Sequence, residues 1–170
     1  MKLTLVPATL AAIALASPLF SCAKVATAED LNQQGEVALQ ELDYVAAKAN
    51  FESALATLGQ DTAAPGYLQA RLGLIESLVY TDHDSCAAEF TQLGSELPAS
   101  NLPVKDYVYI AGLLANAEQL EASFAVADLG NRRFPDHPSL VKVFENIAEK
   151  AKNVGSSKLN EGLVGLGYLE

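Results

Sequence analysis

Residues 31–58 read LNQQGEVALQELDYVAAKANFESALATL, and their spacing decides the fold. Leu31, Gly35, Ala38 and Leu42 stand at i, i+4, i+7 and i+11; Ala47, Phe51, Ala54 and Leu58 repeat the same series. At 3.6 residues per turn, each series forms one stripe along an α-helix. Asp43 separates the two stripes. The stretch therefore predicts two helices joined by a tight turn. Ala47 and Ala54 let them approach closely, and Phe51 fills the space between them.

The stripe recurs downstream as Leu68, Leu72, Ile75, Val79, then as Cys86, Phe90, Leu93, Leu97, and again as Leu140, Phe144, Ile147, Ala151. Breaks fall at 59–65, 82–84, 98–103 and 134–138. Asn101 and Asp136, each two residues before a proline, read as helix caps with proline in the first turn. No stretch shows the sustained alternation of a strand. Leu31 and Leu68 are 37 residues apart, Phe51 and Phe90 39, and Pro98 and Pro135 again 37. A period of this length marks stacked helical repeats, so the expected class is all-α.

The residues Leu31, Gly35, Tyr44, Ala47, Phe51 and Ala54 resemble the signature of the tetratricopeptide repeat family. Gly73, Cys86, Phe90 and Pro98 match it a second time, and Ala111 or Gly112 with Ser123, Ala127 and Pro135 a third. The resemblance runs over roughly residues 29–152. It implies a right-handed α-solenoid of about three helix pairs, closed by a capping helix at 137–152. In this family partners bind the concave wall, lined by the first helix of each pair. That places Asn32, Glu36, Arg71, Ile75, Tyr109, Asn116 and Gln119 in a partner-binding groove, with Arg71 as the cation that would grip a carboxylate. The implied function is a protein-binding adaptor or assembly factor, its partner a protein or peptide segment. The alternative is a periplasmic module for a peptide or small ligand. Lipidated repeat proteins that assist pilus or secretion machinery are the nearest look-alikes in fold and address.

The address comes from the amino terminus. Met1 and Lys2 are followed by a mostly apolar run over 3–16, about 14 residues, too short for a bilayer span and suited to a signal peptide. The organisation read from this is a signal peptide at 1–28, a helical domain at 29–152 and a glycine-containing apolar tail at 153–170. Two processing routes stay open. Leu19-Phe20-Ser21-Cys22 resembles a bacterial lipobox, which implies lipidation of Cys22 and, with Ala23 next to it, a lipid anchor on the periplasmic face of the outer membrane. Ala26-Thr27-Ala28, or Ser21-Cys22-Ala23, offers small residues to ordinary signal peptidase, which would release a soluble periplasmic protein.

Half the chain is hydrophobic and 19% is charged, which favours a packed core over disorder. The net charge of -10 repels phosphate backbones, so nucleic acid is excluded as a partner, and anionic lipid would need a covalent anchor. With Cys22 in the processing zone, Cys86 is left as a small core residue. His83 and His137 both sit in turns. Asp82-His83-Asp84-Ser85 holds triad residue types, but neighbours in one turn do not converge as a triad must. There is no H-E-x-x-H, C-x-x-C or P-loop, and Gly162, Gly165 and Gly167 precede no helix. The expectation is a non-enzyme with no catalytic residues, metal or cofactor. Leu159, Leu163, Val164, Leu166, Tyr168 and Leu169 make the tail apolar, and it is expected to dock on its own chain.

Overall fold

The computed structural model describes residues 26–152 and 156–169. These form α1 (Ala28–Gln40), α2 (Tyr44–Leu58), α3 (Tyr67–Thr81), α4 (His83–Glu96), α5 (Val104–Asn116), α6 (Leu120–Arg133), α7 (Pro138–Ala151) and α8 (Ser157–Gly165). Among the described residues the chain is all-helical, and no helix is long and apolar enough to cross a membrane. Cys22 and nearly all of the expected leader lie outside the described residues.

Helix starts follow capping chemistry. The Thr27 side chain accepts a hydrogen bond from the Asp30 amide, and the Asp30 carboxylate accepts one from the Thr27 amide. This reciprocal pair satisfies two donors of the first turn and sets the start of the helical body just before residue 29. Asp43 caps α2 through the Ala46 amide, and Asp82 caps α4 through the Ser85 amide. Two expected caps fall elsewhere. Pro103 rather than Asn101 precedes α5, and His137 rather than Asp136 caps α7, its Nδ1 accepting from the Ser139 amide at 3.3 Å. Asp136 instead adopts φ 56°, a turn conformation that short polar side chains tolerate. Leu42 does the same at φ 60° and is 68% exposed, because α1 has already ended at Gln40; it does not extend the first stripe.

Each helix packs on the next from α1 to α4 and from α5 to α8. Contacts also run along α1, α3, α5 and α7 in series, and along α4, α6 and α8. Leu42 and Glu118 occupy matching turns: each has φ near 60°, and Asp43 and Gln119, the residues that follow, donate back to the carbonyls of Ala38 and Leu114. The core is the set of stripes. Ala47, Phe51, Ala54, Cys86, Phe90, Leu93, Leu140 and Ile147 have no exposed surface.

Phe51 is wedged more widely than one helix pair. A Cβ placed on Gly35 of α1 would come within 2.7 Å of its ring, and one on Gly73 of α3 within 2.3 Å. Glycine is needed at both positions for this close approach. α5 and α6 also approach closely, with the Ser123 hydroxyl donating to the Ala111 carbonyl at 2.7 Å. Tyr107 bridges Phe90 and Phe134 edge-on, with ring centroids 5.0 and 5.9 Å away. The tail contributes α8, whose Leu159 and Leu163 are buried, while Tyr168 stacks on Phe144 at 5.1 Å. Its docking on the chain's own body agrees with the apolar composition.

Candidate functional site

α3 lies against α1, α2, α4 and α5, so it is buried around most of its circumference. This decides the fate of several expected groove residues. Ile75 is fully buried in the core. Arg71 is 7% exposed, with its Nη2 3.1 Å from Glu89 and its Nη1 3.5 Å from Glu96, and it donates to the Tyr67 hydroxyl at 3.0 Å. It ties α3 to α4, and its guanidinium is engaged inside the protein instead of waiting for a partner's carboxylate. Asn32 is buried too, and its amide donates to the Gly66 carbonyl at 3.0 Å, pinning the α2–α3 connection to α1. Gln119 occupies the turn before α6 and donates to the Ala117 carbonyl. A single-stripe reading misplaces Arg71 and Ile75 because it allows α3 one buried face where the fold gives it several.

Glu36, Tyr109 and Asn116 do reach open surface. Glu36 and Tyr109 line a hollow of roughly 340 Å³ between α1, α3 and α5, together with Leu39, Gln69, Leu72, Glu76, Asp106 and Ile110. Leu39 and Leu72 make an apolar floor, backed by the buried Ile110 and Phe51. The rim is polar and ordered: Gln69 donates to Glu36 at 2.6 Å, and the half-exposed Tyr109 donates its hydroxyl to Glu76 at 2.9 Å. Burial and this bond to a carboxylate push the Tyr109 hydroxyl up to about 12. Burial also raises the Asp106 carboxyl, with neighbouring Lys105 acting against it. Beside the hollow, Tyr44 stacks on Tyr80 with centroids 4.0 Å apart. Asn116 lines a second hollow, roughly 370 Å³ between α5 and α7, with Val108, Ser139, Lys142 and Asn146.

Sequence reasoning missed Gln69, Leu72, Glu76 and Asp106. The available signal was charge in an apolar setting: α3 carries Arg71 and Glu76 as its charged residues, and the two face different neighbours. The triad types at 82–85 do not assemble. Asp82 accepts from the amide and the hydroxyl of Ser85, which lowers its carboxyl, and His83 Nδ1 is 2.6 Å from the Val79 carbonyl. Among the described residues no three His, Cys, Asp or Glu side chains converge to hold a metal ion. No protein-family model matches the chain, and neither a curated protein nor a solved structure matches it significantly.

Proposed function

We propose that this chain is a protein-binding adaptor of the bacterial cell envelope, built as a short array of tetratricopeptide-like helix pairs. Its docking face is the side formed by α1, α3, α5 and α7. The observation that carries the reading is the solvent-open hollow on α1, α3 and α5, with its apolar floor and half-exposed Tyr109. Half-exposed aromatics over apolar floors are the anchors around which interfaces are organised. The repeat reading draws support from the matching turns at Leu42 and Glu118, and from the small residues at Gly35, Gly73 and Ala111. In that reading α7 and α8 close the end of a right-handed solenoid. The envelope address, with a lipid on Cys22 or as a free periplasmic protein, rests on the amino-terminal pattern, and a pilus or secretion apparatus is the kind of machine such an adaptor serves.

A second reading is a periplasmic module for a small ligand. It is supported by the α5–α7 hollow, whose volume and mixture of Lys142, Asn116 and Val108 suit a compact solute. Retention of envelope proteins on the immobilised processed chain separates the two. Tyr109→Arg places a bulky cation at the mouth of the first hollow without disturbing buried contacts. It should release the retained partner while leaving the circular dichroism spectrum unchanged. Equal retention by wild type and Tyr109→Arg would refute the adaptor reading.

A further inference from the structure

We infer that the hollow between α1, α3 and α5 receives a lysine or arginine side chain from the docked protein segment. The inference rests on the reading of that face as a docking face. Three carboxylates, Glu36, Glu76 and Asp106, line the hollow, and no lysine or arginine does. The cation on α3 cannot supply one, because Arg71 is held by Glu89 and Glu96 on another side of the helix. A charged head alone would not match the floor. Leu39 and Leu72 present apolar surface below the acidic rim, which suits a side chain with a long aliphatic stem and a cationic tip. The face of a half-exposed tyrosine ring, here Tyr109, attracts cations as well.

Asp106 adds a separate argument. It is half-buried, and its carboxylate has no hydrogen-bond or ion-pair partner among the described residues. Lys105 opposes that burial only from a distance and forms no ion pair with Asp106, so an arriving cation still gains there, since attraction strengthens as water is displaced. Glu76 and Glu36 are already held by Tyr109 and Gln69, so less ordering is required on binding. A small amine could satisfy the rim chemistry, but it would leave the floor bare. A segment anchored along α1, α3 and α5 covers both.

The test uses the processed protein and a fluorescein-labelled glycine–serine peptide carrying two lysines, with a twin in which norleucine replaces them. Anisotropy at low salt should show the lysine peptide binding at least about ten-fold more tightly than its twin, a preference lost at about 1 M salt, where the screening length is about 3 Å. Asp106→Asn and Glu76→Gln should each weaken the lysine peptide about five- to ten-fold and leave the twin unchanged. Glu52→Gln makes the same charge change at an exposed position of α2, outside the hollow, and should have no effect. Wild-type affinity in both hollow variants would overturn the inference, as would equal weakening by Glu52→Gln. Spermidine binding as tightly as the peptide would overturn the segment as the source. If the hollow variants bind normally while Tyr109→Arg still releases the envelope partner, the docking face stands and the basic side chain falls. If Tyr109→Arg is silent too, both fall.

Discussion

Gly73→Ala adds one methyl group to the middle of α3, and two opposing effects set its outcome. In a helix interior, alanine is favoured over glycine by about 0.8–1 kcal/mol. Against that, the new Cβ would lie 2.3 Å from the Phe51 ring, far inside ordinary contact distance. The ring has no exposed surface, and Gly35 packs so closely on it that a Cβ there would also come within 2.7 Å, so the ring has little room to retreat. Overpacking of this kind costs about 1–3 kcal/mol. The net change therefore runs from near zero to about 2 kcal/mol destabilising, and its sign alone decides little. The control is Gly112→Ala on α5, where a Cβ meets nothing within 4 Å. There the propensity gain is unopposed, at about 0.8–1 kcal/mol. The two variants should differ by about 1–3 kcal/mol in urea unfolding followed by circular dichroism. A third variant closes the argument: shortening Phe51 to Leu should shrink the cost of Gly73→Ala, a coupling readable from the double-mutant cycle. If Gly73→Ala is as stabilising as Gly112→Ala, the Phe51 ring does not lie between Gly35 and Gly73, and the packing of α1, α2 and α3 described above is wrong.

Arg71→Glu would face a new carboxylate toward Glu89 and Glu96, and it should lower stability by more than about 3 kcal/mol; Arg71→Met, which keeps the stem, should cost about 2. A wild-type melting temperature in Arg71→Glu would refute the buried ion-pair arrangement. Cys86 should resist thiol reagents until the chain unfolds, because burial pushes its thiol from an ordinary 9.0 up to about 12. The unfolded chain then loses this proton first, so the associated stability is intact below pH 9 and is lost as pH rises toward 12. Tyr109 acts in the same direction between 10.0 and about 12. The melting temperature should fall over that range, and Cys86→Ala should flatten the fall; a flat wild-type profile would refute it.

The helical stripes were legible because burial and periodicity coincide in α2, α4 and α7. Ala47, Phe51 and Ala54, then Cys86, Phe90 and Leu93, and then Leu140, Phe144 and Ile147 are the residues the spacing selects and the core contains. Periodicity failed at α3, where four neighbours bury Tyr67, Ala70, Arg71, Leu74, Ile75 and Leu78 around the helix. Spacing alone cannot say which polar residue of such a helix reaches water, so it assigns Arg71 to the groove and gives no sign of Glu76. α8 escaped notice because Gly162 and Gly165 depress helix propensity, whereas Gly162 serves to seat the helix on the ring of Phe124. The hollow itself joins residues from four helices, and that proximity depends on how the helices stack, which no local pattern encodes.

On the exported reading proposed above, the Thr27–Asp30 cap would link folding to maturation. A cut after Ala28 would remove the capping hydroxyl and set a protonated α-amino group against the positive end of the α1 dipole, a combined loss of about 1–2 kcal/mol. A cut before Cys22 would keep Thr27 and leave a short spacer between any lipid and the first helix. Cuts before Cys22 and after Ala28 would thus yield chains with differently anchored first turns on the helix that carries Glu36 and Leu39 into the hollow. On that reading, where the leader is removed would also set how firmly one wall of the proposed docking face is held.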